Sequence, residues 1–257
     1  MNEYIGLIPE EFLLMRKEYL TVLLRKLPVI KAGRRGDKEV FRVYKDSRRY
    51  REISPVNSDW AETRNLFNQR AKIESSLRQT KNLLTHFKTR STPCSLKTAN
   101  LENAYSNNYY DRLIDGSCTL DNSSKYIYNG HVFRSRSEMQ FAAILDEFGL
   151  EYKYDVVVSF AGQTYTVDFV IVFREFNRCV FVEYYGMCQD AGCNESNCIK
   201  IKSALNDGAY LGRDMFIMSG NKTYMPGPDV MRVFVASIIA QLSSEHIKVV
   251  YPGLPAV

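Results

Sequence analysis

The sequence predicts a mixed α/β fold, and three observations carry that expectation. From Lys125 onward the hydrophobic periodicity runs strand, helix, three strands, helix, strand, helix. Tyr165 to Phe173 and Arg178 to Tyr185 are runs of Val, Ile and Phe, the pattern of buried strands. Hydrophobic residues make up 45% of the 257 residues, enough for a core in one large domain or two ordinary ones.

Taken in order, Pro9-Glu10-Glu11 opens a helix, with proline and acids at its positive end. Phe12, Leu13, Tyr19, Leu20, Leu23 and Leu24 form its apolar stripe, and it stops before Pro28. Lys31 to Asp37 reads as a basic, glycine-containing loop. Val40 to Tyr44 and Arg49 to Ile53 read as a hairpin around Asp46-Ser47. Ser58-Asp59 starts a long helix toward Phe87, with Leu66, Phe67, Ile73, Leu77, Leu84 and Phe87 as its apolar positions. Residues 1–90 are therefore a basic helical and hairpin region. Residues 91–122 are rich in Ser, Thr, Asn and Asp without a period. They read as a linker holding a short helix around Leu101 to Leu113.

Residues 123–257 form the α/β domain. Tyr126 to Phe133 is a strand turning at Asn129-Gly130. Ser135 opens a helix whose apolar positions are Met139, Ala142, Ala143, Leu145 and Phe148, and Gly149 stops it. Tyr152 to Phe160, Tyr165 to Phe173 and Arg178 to Tyr185 are strands split at Ala161-Gly162 and Phe176-Asn177. Asn197 to Asp207 is a helix, Asp214 to Ser219 a strand and Asp229 to Leu242 a helix. There is no internal repeat.

Composition narrows the function classes. No apolar run reaches the ~18 residues that span a bilayer, and Met1-Asn2-Glu3-Tyr4 lacks the pattern of a signal peptide. The expectation is a soluble protein, cytoplasmic or otherwise intracellular, with no membrane partner. Its six cysteines (94, 118, 179, 188, 193 and 198) are then reduced thiols. The net charge of +5 hides an asymmetry. Residues 1–90 hold 20 Lys and Arg against 11 Asp and Glu, a net of +9, and the remainder holds 14 against 18, a net of −4. A basic arm on a mildly acidic core suits a polyanionic partner; a solvated helical surface is the plainer reading.

Chemistry points to two acids set in apolar strands, Asp168 within Thr166-Val167-Asp168-Phe169-Val170-Ile171 and Glu183 within Cys179-Val180-Phe181-Val182-Glu183-Tyr184-Tyr185-Gly186. An acid buried there is costly unless paired or holding a cation. On adjacent strands the two could share one Mg²⁺, which favours a few carboxylates, substrate phosphate oxygens and retained waters. By strand alternation Asp168 shares a face with Thr166 and Val170. Alternatively Asp168 is an acid satisfied by backbone or arginine, and Glu183 an edge-strand surface acid. Glu138 follows Arg134-Ser135-Arg136-Ser137 at a helix start, where Ser135 and Glu138 also make a capping box.

Asp168, then Glu183-Tyr184-Tyr185 after a hairpin-length gap, resembles the PD-(D/E)XK nuclease superfamily. The resemblance spans roughly residues 123 to 240 and rests on a short motif together with the order of elements. It implies a restriction-endonuclease-like core of helix, three-stranded meander, helix and closing strand. It also implies Mg²⁺ or Mn²⁺ held by Asp168 and Glu183, with Glu138 as the helix-borne acid, and phosphodiester hydrolysis in nucleic acid, DNA before RNA. The sequence departs from the family at Val167, where proline is frequent, and at Tyr185, where the motif lysine stands. A tyrosine hydroxyl is neutral near pH 7 and cannot replace an ammonium. Some members supply the cation from the next helix, where Lys200 and Lys202 stand here. Two residues apart, they flank the Ile201, Ala204 and Leu205 face on opposite sides, so one of them reaches the site. The resemblance favours Lys202, because similar family sequences place a lysine about two turns before a tyrosine, as with Tyr210 here.

Arg34, Arg35, Arg48 and Arg49 are the candidates for holding backbone phosphates. Cys188, Cys193 and Cys198 recur every five residues, which is no zinc knuckle, and His86, His131 and His246 are scattered. No Ser/His/Asp set or Walker-type loop is present. The expected function is a Mg²⁺-dependent DNA endonuclease. Two alternatives remain: a nuclease-fold nucleic-acid-binding protein without turnover, and an assembly protein forming a homodimer through its N-terminal helices.

Overall fold

The computed structural model describes residues 8–46, 49–87, 94–96, 104–116, 126–186, 190–221 and 223–249. They fall into two compact units, residues 13–89 and residues 1–12 with 90–257, so the division lies inside the first helix. Among the described residues no helix is long and apolar enough to cross a membrane.

The unit of residues 13–89 contains most of α1 (Glu10–Lys26), then β1 (Val29–Arg35), β2 (Lys38–Tyr44), β3 (Tyr50–Ile53) and α2 (Trp60–Leu84). The sheet order is β1-β2-β3, antiparallel throughout. Lys31 to Arg35, expected in a loop, form a strand. Polar side chains hide the apolar alternation there, but every residue of β1 has a partner in β2, from Val29 opposite Tyr44 to Arg35 opposite Lys38. The turn is Gly36-Asp37, with Gly36 at φ 61°. Phe41 anchors this small core, its ring 4.7 Å from Trp60 and 5.0 Å from Phe67 of α2. Arg70 on α2 donates to the carbonyls of Leu24, Leu27 and Pro28, which the end of α1 leaves without helical partners.

The larger unit holds β4 (Cys94–Leu96), α3 (Asn107–Arg112), β5 (Tyr126–Tyr128), β6 (His131–Phe133), α4 (Arg136–Glu147), β7 (Glu151–Phe160), β8 (Gln163–Phe173), β9 (Arg178–Tyr185), α5 (Ala191–Asn206), β10 (Met215–Ser219), α6 (Pro228–His246) and β11 (Ile247–Val249). Its central sheet is mixed, in the order β10-β9-β8-β7, with β10 parallel to β9 and the other pairs antiparallel. Helices flank this sheet. Ala204 and Ala209 pack against Val170, Val172, Phe181 and Met215, while Phe141 of α4 packs on Phe169. β5 and β6 are a hairpin whose turn residues Asn129 and Gly130 sit at φ 49° and 81°.

The stretch expected as a linker is in part built into this unit. Tyr105 and Tyr110 are buried in the same cluster as Phe181. Lys153 on β7 donates to the carbonyls of Tyr110 and Leu113, and the Asp115 carboxylate accepts from the amide of Tyr154. The Gly116 amide donates to the Tyr154 carbonyl, and a Cβ at Gly116 would stand 2.0 Å from the Asp155 carbonyl oxygen, so this contact requires glycine. Arg48, Cys118, Cys188 and the Leu101 start of the expected short helix lie outside the described residues.

Candidate active site

The ladder between β8 and β9 ends at Phe169 opposite Val182. One residue further, where Asp168 and Glu183 would be partners, the strands part. Each side then needs a substitute for the lost backbone bonds. The Asp168 carboxylate supplies one: Oδ2 accepts from the amide of Tyr184 at 2.7 Å. Lys200 of α5 supplies the other, donating to the Thr166 carbonyl at 2.8 Å. The same ammonium bonds Glu183 Oε1 at 2.9 Å. Asp168, Glu183 and Lys200 therefore meet at a fork between two strands.

The strand across from Asp168 is distorted as well. Asp155 in β7 has φ 54°, and its neighbours Tyr154 and Val156 pair with Phe169 and Val167. A non-glycine residue in that region is uncommon and marks strain at a point the fold holds in place. Val156 and Val167 lie in the cluster with Val170 and Phe181, yet Tyr154 and Phe169 pack with Phe133 and Phe141. Strict alternation would put Val167 and Phe169 on one face. It changes phase at Asp155 and Asp168, so the simple face assignment of Asp168 from its neighbours does not hold.

Arg134, just before α4, ties the acids together. Its Nη2 pairs with Asp168 Oδ1 and stands 3.5 Å from Asp155 Oδ1, while Nε stands 3.9 Å from Glu138 Oε2. Glu138 makes half of the expected capping box: its amide donates to Ser135 Oγ at 3.2 Å. Its carboxylate turns elsewhere, with Oε2 accepting from the Tyr154 hydroxyl at 2.6 Å. That hydroxyl accepts from the amide of Arg134 at 3.0 Å.

The electrostatics follow from burial. Glu183 is 1% exposed and Asp168 8% exposed. Burial, then the charge of Asp168, raises the Glu183 carboxyl to about 8, and Lys200 pulls it back only in part. Asp168 is also raised, by burial first, against the Tyr184 amide and Arg134, which favour its charged form. Glu138 is raised by burial and lowered by the Tyr154 hydroxyl. With all groups ionised, four acids (Glu138, Asp155, Asp168, Glu183) face two cations (Arg134, Lys200), an excess of two negative charges.

Among the described residues no group of three or more His, Cys, Asp or Glu stands close enough to hold a metal ion by itself. Glu138 is accordingly not brought in as a third ligand; it is joined to Asp168 through Arg134. The pair Asp168 and Glu183 still fits a Mg²⁺ site. Their oxygens are hard, they repel each other, and Mg²⁺ takes one or two carboxylates beside substrate phosphate and water. Glu183 Oε2 accepts no hydrogen bond among the described residues.

The other expected residues sort as follows. Lys202, the favoured lysine, is exposed and makes no ion pair with these acids; Lys200 does. Lys200 lies four residues before fully buried Ala204, which sets its direction toward the sheet. Tyr185 is half-buried at the end of β9, its carbonyl accepting from Gly220. Arg34, Arg35 and Arg49 belong to the other unit and are exposed; Arg49 pairs with Asp46 at 2.7 Å and Arg35 stands 3.7 Å from Glu52. Missed in the sequence were Tyr154, Asp155 and the role of Arg134. No known family model, curated protein or solved structure matches the chain.

Proposed function

We propose that the protein is a metal-dependent nuclease that hydrolyses phosphodiester bonds, with DNA as the substrate. The observation that carries this reading is the convergence of Asp168, Glu183 and Lys200 where β8 and β9 part. The element order supports it too: α4, the meander β7-β8-β9, α5 and β10 follow the sequence of elements that the PD-(D/E)XK resemblance implies. Asp168 and Glu183 would hold the metal, and Mg²⁺ bound between them would supply a water of lowered pKa and neutralise charge on the phosphate. The Tyr184 amide fixes the orientation of Asp168. Lys200 brings the positive charge that Tyr185 lacks and stabilises the transition-state phosphate. Arg134 and Tyr154 hold Asp168 and Glu138 in place.

The test is cleavage of plasmid and end-labelled DNA with Mg²⁺, with Mn²⁺ and with EDTA. Wild-type protein cleaves only with metal, and Asp168→Asn or Glu183→Gln abolishes cleavage while the fold persists by circular dichroism. Cleavage by the double variant at the wild-type rate refutes the proposal. A second reading, a nuclease fold that binds nucleic acid without turnover, is favoured by the ion pair of Arg134 with Asp168, which already neutralises a ligand. Under that reading wild-type protein binds DNA and leaves it intact in every metal.

A further inference from the structure

The β1-β2-β3 sheet carries a second charged surface, sorted onto one face by its register. Residues directly opposite each other share a face, and successive residues alternate. Lys31 stands opposite Arg42, Arg35 opposite Lys38, and Tyr44 opposite Tyr50. Ile30, Phe41 and Ile53, all buried, alternate with them. The other face thus has four cations around buried Val40, which stands opposite Gly33, and its acid is Glu52, opposite Arg42. Arg34 points the other way, opposite Glu39. Arg34 and Arg35, expected to act together, are split between the two faces.

The cations are arranged around rings. Lys31 Nζ lies 5.1 Å from the Tyr44 centroid and the Arg42 guanidinium 5.3 Å from that of Tyr50. The two rings are 5.4 Å apart, and Tyr50 is 49% exposed. The guanidinium of Arg42 also lies over Gly33, where a Cβ would meet it at 3.6 Å. Glu52, half-buried, reaches half-buried Arg42 at 3.4 Å and exposed Arg35 at 3.7 Å, and the second, solvent-open pair yields readily to a phosphate. Lys31 and Lys38 are exposed, with no carboxylate partner among the described residues.

We propose that this face binds single-stranded nucleic acid, with bases stacking on Tyr50 and Tyr44 and phosphates held by Lys31, Arg35, Lys38 and Arg42. The exposed Tyr50 ring, with half-buried Tyr44 and cations beside it, suits unpaired bases, because every base offers a π-face once it leaves the duplex. A duplex hides those faces and offers only its phosphates to such a surface. The proposal deepens the nuclease reading by naming the form of its substrate, and rests on that reading only for the word substrate. Binding is measured without cleavage.

The experiment is fluorescence anisotropy of the full chain in EDTA, using a labelled 20-nucleotide thymidine strand and the same strand annealed to its complement. The single strand binds more tightly than the duplex. Tyr50→Leu weakens single-strand binding about 5- to 150-fold, the loss expected for one stacked base, and changes duplex binding little. Tyr50→Trp keeps a ring and restores affinity, which separates stacking from damage to the sheet. Lys38→Gln weakens both ligands and lowers the single-strand salt slope by about 0.7. Arg34→Gln, on the opposite face, leaves single-strand binding unchanged. Equal affinity for strand and duplex, or indifference to Tyr50→Leu, overturns the proposal. So does an Arg34→Gln loss as large as that of Lys38→Gln. Failure of wild-type protein to cleave with Mg²⁺, while these binding results hold, would instead count against the nuclease reading alone.

Discussion

Strand β9 carries a buried charge near each end, and the two ends are built on different principles. At its start Arg178 is 3% exposed and pairs with Asp214, fully buried, at 3.0 Å. Arg178 also pairs with Glu245 and donates to the Arg213 carbonyl, while Asp214 takes further bonds from Arg213 and the Tyr210 amide. Two cations meet two acids there, and the charges cancel. Near its end Glu183 shares a site where four acids meet two cations. Buried charge that is balanced by partners of opposite sign holds the fold together. Buried charge left in excess disfavours the empty protein, and a fold retains it when something of opposite charge is to be bound.

The largest effect expected from this contrast is on stability. Asp214→Ala leaves Arg178 buried without its main partner, and breaking a buried pair costs about 3–5 kcal/mol. Urea denaturation in EDTA measures it. A loss below about 1 kcal/mol would mean that the Arg178 cluster is not the clamp described here.

Next in size is a difference in thiol reactivity. Cys179 follows Arg178 in β9 and is fully buried; Cys198 on α5 is exposed. Burial pushes the Cys179 thiol up to about 12, and Arg174 and Arg178 do not offset it. The thiolate is the reactive form, so at pH 8 Cys179 should alkylate on the order of a thousandfold more slowly than an ordinary thiol near 8.5. Iodoacetamide labelling read peptide by peptide should modify Cys198 in the native protein and Cys179 only after unfolding. Native labelling of both at similar rates would show that this end of β9 is open to solvent.

The third effect separates two lysines. Lys200→Met removes the cation on Glu183 and should lower turnover about 100- to 1,000-fold, by analogy with loss of one preorganised donor at a transition state. DNA affinity should fall far less, because that contact is made chiefly in the transition state. Lys202→Met should leave turnover near wild type. Equal losses in the two variants would remove Lys200 from its special position.

The choice between these lysines shows what the sequence could tell. Strands β7, β8 and β9 were legible because their apolar runs and turns, Ala161-Gly162 and Asn177, are local signals; Ala161 and Asn177 both adopt φ 51°. The acids were legible because they interrupt those runs. Helix α5 was legible as a helix, but which lysine faces the sheet depends on how the helix is rotated. Ala204 on α5 is fully buried while Leu205 is 40% exposed, and the spacing from Lys202 to Tyr210 carries no information about that rotation. β1 was hidden because its strand character comes from pairing with β2 rather than from its own side chains. The short helix expected between Leu101 and Leu113 is present as α3, but its place in the core was hidden because Ser and Asn surround its tyrosines. Tyr105, Tyr109 and Tyr110 were the overlooked sign of that packing, and Tyr105 stacks edge-on against Phe181 at 4.8 Å. The left-handed Asp155 has no local signature; the residue that packs against its carbonyl, Gly116, is far away in sequence.

The smallest effect is the most direct measure of the excess charge. The Glu183 carboxyl is raised to about 8 in the folded, metal-free protein, against an ordinary value near 4.3 in the unfolded chain. The native state therefore binds the proton more tightly than the unfolded state between these values. Its stabilising contribution is full below about pH 4 and is lost as pH rises through 8. Glu183→Gln is permanently neutral and escapes that loss, although Lys200 then keeps a weaker partner. In EDTA the variant should match wild type near pH 5 and exceed it near pH 9. The gain should be on the order of 1–3 kcal/mol, each tenfold change in proton affinity being worth about 1.4 kcal/mol. Urea titrations at the two pH values decide the matter. If Glu183→Gln is less stable than wild type at pH 9, Lys200 fully compensates Glu183, and the end of β9 is a balanced clamp like its start.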